Sequence, residues 1–290
     1  KMSVKICLVF PTIIINSQFS IINLSRLREL LALILIGLLP FHALAVTVLT
    51  KLWMGTGHPP MQALAAWKEV LLAVILSIAI VELLRNVKCT IESVKLWKVD
   101  FIDLLIILLI LLGTVVSIFH FQFSIFNFIF GFKYDFLPLI SFVILRRVPW
   151  SEWCMEWMKQ ALLWVGASVA LYGIVSFFLP DTFFAWLGYS DMHSLYLPDH
   201  PIAAFQQIGG TTLRRIQSTM SGPNQLGLWL LIPLAIVSSH QWAVGSRATK
   251  KRSLLATAYL LLIVIALILT FSRSAWLAAV VMIIKDAAHT

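Results

Sequence analysis

The chain has 290 residues, 60% hydrophobic and only 12% charged, and its mean hydropathy is +0.92. A charged fraction near half that of a soluble domain excludes a disordered chain and an ordinary water-soluble globule. The net charge of +9 would suit nucleic acid, but the basic residues recur in short clusters between apolar runs. That is the footprint of membrane topology, so membrane lipids are the expected surroundings and nucleic acid is not an expected partner.

In chain order, the stretch 6–24 is apolar but interrupted by Pro11, Asn16, Ser17 and Gln18. Residues 1–29 are therefore expected to form an interfacial or leader-like segment, and residues 30–290 a transmembrane domain. A spanning helix needs about 20 largely apolar residues. Candidates are 30–49, 64–84, 101–120, 134–145 with the apolar residues before it, 161–179, 223–239 and 254–271; an eighth begins near Ala275 and runs out near Ile284. The runs are continuous, not alternating, which argues against strands. The predicted fold class is all-α, a polytopic transmembrane helical bundle of about eight spans. Lys1 in place of Met and the late apolar run that stops at Thr290 suggest a fragment, truncated at least at the C-terminus.

Lysine and arginine counted over alternate loops divide sixteen against six. The rich set includes Arg26, Arg28, Arg85, Arg146, Arg147 and Lys250; the poor set is Lys51, Lys68, Lys133, Arg214, Arg215 and Arg273. The rich side is expected to be cytoplasmic, together with the N-terminus. Trp53, Trp67, Trp97, Trp150, Trp153 and Trp157 fall near helix ends, where an interfacial belt is the default reading.

Most loops are short, but residues 180–222 on the outer side are not. This loop carries Asp181, Asp191, His193, Asp199, His200, Gly209–Gly210 and Arg214–Arg215 among Phe183, Phe184, Trp186, Tyr189, Tyr196 and Phe205. Long loops in compact proteins are usually functional or disordered, and the aromatic content favours a packed cap.

Outer-side cations oppose the topology rule, so each calls for a reason. Arg214–Arg215 opens Arg215-Ile-Gln-Ser-Thr-Met-Ser-Gly-Pro-Asn-Gln-Leu-Gly, and Arg273 lies in Thr270-Phe-Ser-Arg-Ser-Ala-Trp, at the break between two apolar helices. An arginine there either points into a wet pocket, where its planar fork grips phosphate oxygens, or snorkels to lipid headgroups. For Arg215 the alternative is a solvated loop charge. Pro223 suits the first turn of a helix, with Asn224 and Gln225 in that turn; such a start either offers free N–H groups to an anion or is simply capped. Lys133 with Asp135, and Lys68 with Glu69, read as local ion pairs. His42, beside Pro40, reads as a hydrogen-bonded core histidine. Asp100 and Asp103 form an Asp-x-x-Asp whose carboxylates either hold magnesium or are ordinary interface groups.

Several classes are excluded. There is no GxxxxGK[ST] and no HExxH. Cys7, Cys89 and Cys154 are far apart, with no metal-ligand or disulfide spacing. No carboxylate occurs in 51–68, where metal-using lipid-linked glycosyltransferases carry one, and no charge lies clearly at mid-membrane as a proton-coupled carrier requires.

The two arginine motifs, with Leu39-Pro-Phe-His-Ala-Leu, Trp67-Lys-Glu and Gly131-Phe-Lys-Tyr-Asp-Phe-Leu-Pro-Leu, resemble the O-antigen ligase / O-antigen polymerase family of bacterial inner-membrane proteins. The likeness covers roughly residues 30–284. It implies a GT-C-like fold and transfer of a glycan from an undecaprenyl-pyrophosphate carrier on the outer face of the inner membrane. The acceptor is lipid A-core sugar, another lipid-linked glycan, or protein. No metal, ATP or other cofactor is implied. Arg273 and Arg215 would be the catalytic residues, stabilising the departing pyrophosphate, with Arg214, Asn224 and Ser272 in substrate binding. The general-base histidine of the family lies in a later loop, beyond Thr290; His193 and His200 do not match its position. Ligase, polymerase and protein-glycosylating relatives are not separable on these motifs. From other classes, a transporter or flippase of lipid-linked or anionic solute predicts inverted repeats, which are not evident. A non-catalytic scaffold leaves the outer arginines unexplained.

Overall fold

The computed structural model describes residues 11–87, 99–119, 124–190, 201–208, 211, 213–238 and 250–288. Cys7, Cys89, Asp191, His193, Asp199, His200, Gly209 and Gly210 lie outside them. The described residues are mostly helical, as the continuous apolar runs require. Among the described residues four helical stretches are long and apolar enough to cross a membrane: Leu24–Met54, Gln62–Arg85, Phe101–Phe119 and Glu152–Phe178. Three shorter apolar helices, Pro223–Ser238, Leu255–Leu269 and Arg273–Ile284, fall in the C-terminal part. The chain divides into two compact units: Lys1–Ala32 with Val70–Glu152, and Leu33–Glu69 with Trp153–Thr290.

Helix α1 (Pro11–Leu38) runs without a break across the expected boundary at residue 29. Pro11 sits at its start, where a missing N–H costs nothing, and Asn16, Ser17 and Gln18 do not interrupt it. The break comes later, at a 3-10 turn, Leu39–Phe41, before α2 (His42–Met54). Pro40 supplies it, because a proline inside a helix removes one hydrogen bond and its ring clashes one turn back.

The first unit also contains most of α4 (Trp67–Val87), α5 (Phe101–Phe119), α6 (Ile125–Asp135) and α7 (Leu137–Leu145). The expected span at 134–145 is therefore two short helices. Pro138, in the first turn of α7, has no N–H to give the carbonyl four residues back and its ring crowds that carbonyl, so the helical ladder is interrupted and the turn falls at Phe136. A Cβ at Gly113 would collide with the Phe136 ring, so glycine lets that ring lie against α5. Arg28 and Glu29 are buried here: Arg28 faces Glu82 at 3.1 Å and donates to the Pro149 carbonyl at 2.6 Å. Glu29 accepts from the Ser151 N–H and hydroxyl, both at 2.7 Å. Trp150 is not free at an interface; its ring lies 4.3 Å from the Arg28 guanidinium, and its N–H donates to Leu145 O at 3.0 Å. Asp100 and Asp103 are bound by Arg146 and Arg147.

The second unit holds α2, the turn α3 (Gln62–Ala65), α8 (Glu152–Phe178, from Trp153 on), α9 (Asp181–Leu187), α10 (Pro223–Ser238), α11 (Lys250–Leu269) and α12 (Arg273–Ala288). Helices α10, α11 and α12 pack on one another around Val169, Ile216, Leu226, Leu230, Leu234, Ile263 and Ala275. Small residues set the closeness, as in membrane bundles. A Cβ on Gly227 would stand 2.8 Å from the Ala275 Cβ and 3.1 Å from that of Ser272. Any side chain there would push α10 off the start of α12.

The long loop is a packed cap with a core of Phe184, Tyr189, Ala204 and Phe205. It contains departures from all-α: an antiparallel ribbon, β1 (Gln206–Gln207) with β2 (Arg214–Arg215), and a single parallel bridge, Ser190 with Ala203.

Candidate functional site

Residues 216–220 follow β2 and are all buried. Irregular backbone at such depth must find hydrogen-bond partners within the protein. It finds them at the break in α1–α2: the Thr219 hydroxyl donates to Pro40 O at 2.7 Å, and Leu44 N–H donates to Thr219 O at 3.2 Å. The Ser218 hydroxyl reaches Val169 O at 2.7 Å, and the Ile216 N–H reaches Leu269 O at 3.1 Å. The proline break and the buried loop thus satisfy each other's backbone groups.

Two residues in this region occupy left-handed backbone without being glycine, Ser218 at φ 54° and Phe271 at φ 49°. Such conformations cost about 1–3 kcal/mol and persist where the surroundings enforce them. Phe271 turns the chain sharply between α11 and α12, with the Ser272 N–H on the Thr270 hydroxyl at 3.2 Å and the Trp276 N–H on Ser272 O at 3.0 Å. That turn puts Arg273 at the first position of α12.

Adjacent residues of a strand face opposite ways, and the arginines divide accordingly. Arg214 pairs with Asp181 at 2.8 Å, donates to Leu179 O at 3.3 Å and lies 4.8 Å over the Phe205 ring. Its charge is matched within the cap. Arg215, half-buried, is held by neutral oxygens alone: Thr270 O at 3.0 Å, Asn224 Oδ1 at 2.6 Å and Gln206 Oε1 at 3.4 Å. Burial, and then the charge of Arg273, push its pKa below the ordinary arginine value. Arg273 is exposed, with no hydrogen bond or ion pair to a described residue. Two like charges are therefore held near each other, and neither is bound to a carboxylate among the described residues.

Asn224 braces Arg215 through its only carbonyl oxygen. Ser272 is buried, its hydroxyl 3.3 Å from that of Ser274. Beside Arg215 is a cavity of about 300 Å³ lined by Pro201, Ile202, Ala203, Gln206, Gln217, Ser221 and Gln225. Gln206 has no motif to mark it, and Gln217 and Thr270 lie inside the two arginine motifs with nothing there to single them out; the one sequence signal is polar residues in an otherwise apolar chain.

The remaining candidates are local. His42 accepts from the Trp67 indole N–H at 3.0 Å and lies 2.7 Å from Lys68 Nζ, which is 3.6 Å from Glu69. Lys133 lies 5.2 Å over the Tyr134 ring. Among the described residues no group of three or more His, Cys, Asp or Glu is placed to hold a metal ion.

No family model, curated protein or solved structure matches this chain.

Proposed function

We propose that the protein transfers a glycan from an undecaprenyl-pyrophosphate carrier to lipid A-core sugar or another acceptor, in the manner of O-antigen ligases. The observation that carries this is the Arg215–Arg273 pair: one guanidinium braced by neutral oxygens at the edge of a polar cavity, the other near it and without a partner among the described residues. A diphosphate placed there accepts several charge-assisted hydrogen bonds and neutralises a repulsion the protein otherwise carries. The same contacts strengthen as negative charge collects on the departing diphosphate, which makes them catalytic as well as binding contacts. The donor carries its own energy in the sugar–diphosphate bond, so positioning and charge stabilisation suffice without ATP or metal.

In this reading the three shorter apolar helices, together with the short pair α6 and α7, complete a GT-C-like bundle of about eight spans. The lysine and arginine asymmetry puts the N-terminus in the cytoplasm of a bacterium and the two arginines on the outer face of its inner membrane. Polymerase and protein-glycosylating activities use the same donor chemistry and differ in the acceptor.

A second reading, a carrier of lipid-linked or anionic solute, is favoured by the helix broken at Leu39–Phe41, a feature of transporter binding sites. One assay separates them. The enzyme reading expects purified protein in lipid, given lipid-linked glycan and acceptor, to form product without ATP, metal or an ion gradient, and Arg273→Ala to abolish it with insertion intact. Full transfer by Arg273→Ala, or movement of the lipid-linked glycan without product, rejects this reading.

A further inference from the structure

We infer that the amide-lined cavity beside Arg215 is the subsite for the sugar ring attached to the diphosphate, and that it takes an uncharged ring. The inference rests on the diphosphate reading of Arg215 and Arg273. Three carboxamides line the cavity, and each has one end tied down by the protein, which fixes what the other end offers. Gln206 Oε1 accepts from Arg215 at 3.4 Å, leaving its NH2 group as donor. Gln225 Oε1 accepts from the Ser221 hydroxyl, again leaving an NH2. Gln217 donates from Nε2 to Ala203 O at 2.6 Å, which leaves its carbonyl as acceptor. The wall thus presents donors from Gln206 and Gln225 and an acceptor from Gln217, a match for ring hydroxyls, each of which donates and accepts.

Among the described residues no charged side chain lines the space. A carboxylate sugar would lose hydration there with no cation in the wall to offset it, whereas hydroxyls exchange water for amides at little cost. The volume, about 300 Å³, is at the small end of ligand sites. It suits a ring or a disaccharide, with any longer glycan continuing outward. Gln206 joins the two parts of the site, since the amide that lines the cavity also braces Arg215. A ring in the cavity therefore has its anomeric carbon on the diphosphate side.

The test is equilibrium binding to the full chain in nanodiscs with three probes: undecaprenyl pyrophosphate, the same lipid bearing one neutral hexose, and the same lipid bearing one uronic acid. For the wild type, the neutral hexose is expected to tighten binding about tenfold over the bare diphosphate, a gain of a few oriented hydrogen bonds. The uronic acid is expected to add nothing. Gln225→Leu, at an exposed position, is expected to remove most of the hexose gain and leave the bare diphosphate unchanged; Gln217→Leu is expected to do the same. If the bare diphosphate binds and the hexose adds nothing, or the uronic acid binds as well as the hexose, the cavity assignment is overturned alone. If the bare diphosphate fails to bind, the reading of the arginines falls and this assignment falls with it.

Discussion

The two units treat arginine differently, although Arg214 in the second is paired with Asp181. In the first, Arg28 meets Glu82, and Arg146 and Arg147 meet Asp100 and Asp103. In the second, Arg215 is braced by a backbone carbonyl and two carboxamides, and Arg273 by nothing among the described residues. The cavities differ in the same sense. That of the first unit, about 310 Å³, is walled by Leu83, Ile106, Ile107, Ile110, Ile140 and Ile144 with Asp103 and Arg147 among its lining, whereas the cavity beside Arg215 is lined by amides. Paired cations hold a fold together and have little charge left for a ligand. Cations oriented by neutral oxygens are positioned without being neutralised, which is the arrangement a site for a dianion needs.

Breaking the first arrangement has the largest expected effect on stability. Glu82→Leu leaves Arg28 fully buried without its carboxylate, and loss of one partner of such a pair costs about 3–5 kcal/mol. The variant should melt well below wild type in detergent, and Arg28→Met added to it should restore much of the loss. Breaking the second arrangement should spare the fold and remove the function. Arg273→Ala, exposed and unpartnered, should leave the melting temperature unchanged and lower transfer about 10²–10³-fold, the scale of losing one charge-stabilising group. Turning the second arrangement into the first is the sharper test. Asn224→Asp keeps the brace on Arg215 but adds a carboxylate, so diphosphate affinity should fall about tenfold at low salt, less at high salt, with melting unchanged or raised.

The smallest effect is expected at Asp100, half exposed on the first unit. Its hydrogen bond from the Asp103 N–H, and then Arg146, hold its carboxyl below the usual carboxylate range. A folded-state pKa below the unfolded one adds stability at neutral pH that is lost as pH falls through the acid range. Asp100→Asn should therefore lower melting slightly at pH 7 and not at all near pH 3.

Much of this was legible in the residue order. The continuous apolar runs located the long helices, Pro223 marked a helix start, and the aromatic content of 180–222 indicated a packed cap. Contacts across the chain were not legible. The 134–145 run read as one span because hydropathy does not register how Pro138 and the Phe136–Gly113 contact divide it. Helix α1 continues through residue 29 to the turn at Pro40, because a few polar residues do not end a helix, whereas an interior proline does. Arg214 and Arg215 looked like one basic pair until a two-residue strand turned them to opposite faces, one toward Asp181. Gln206 carries no motif and Thr270 only opens the motif of Arg273, and their value to Arg215 arises only when β1 and the end of α11 are brought beside it.

The central claim is that Arg215 and Arg273 together hold a diphosphate. Equilibrium binding of undecaprenyl pyrophosphate to the wild type and to Arg273→Ala, both folded in nanodiscs, tests it most directly. The account predicts saturable binding by the wild type that weakens at least tenfold in the variant. Equal affinity for the two proteins contradicts it.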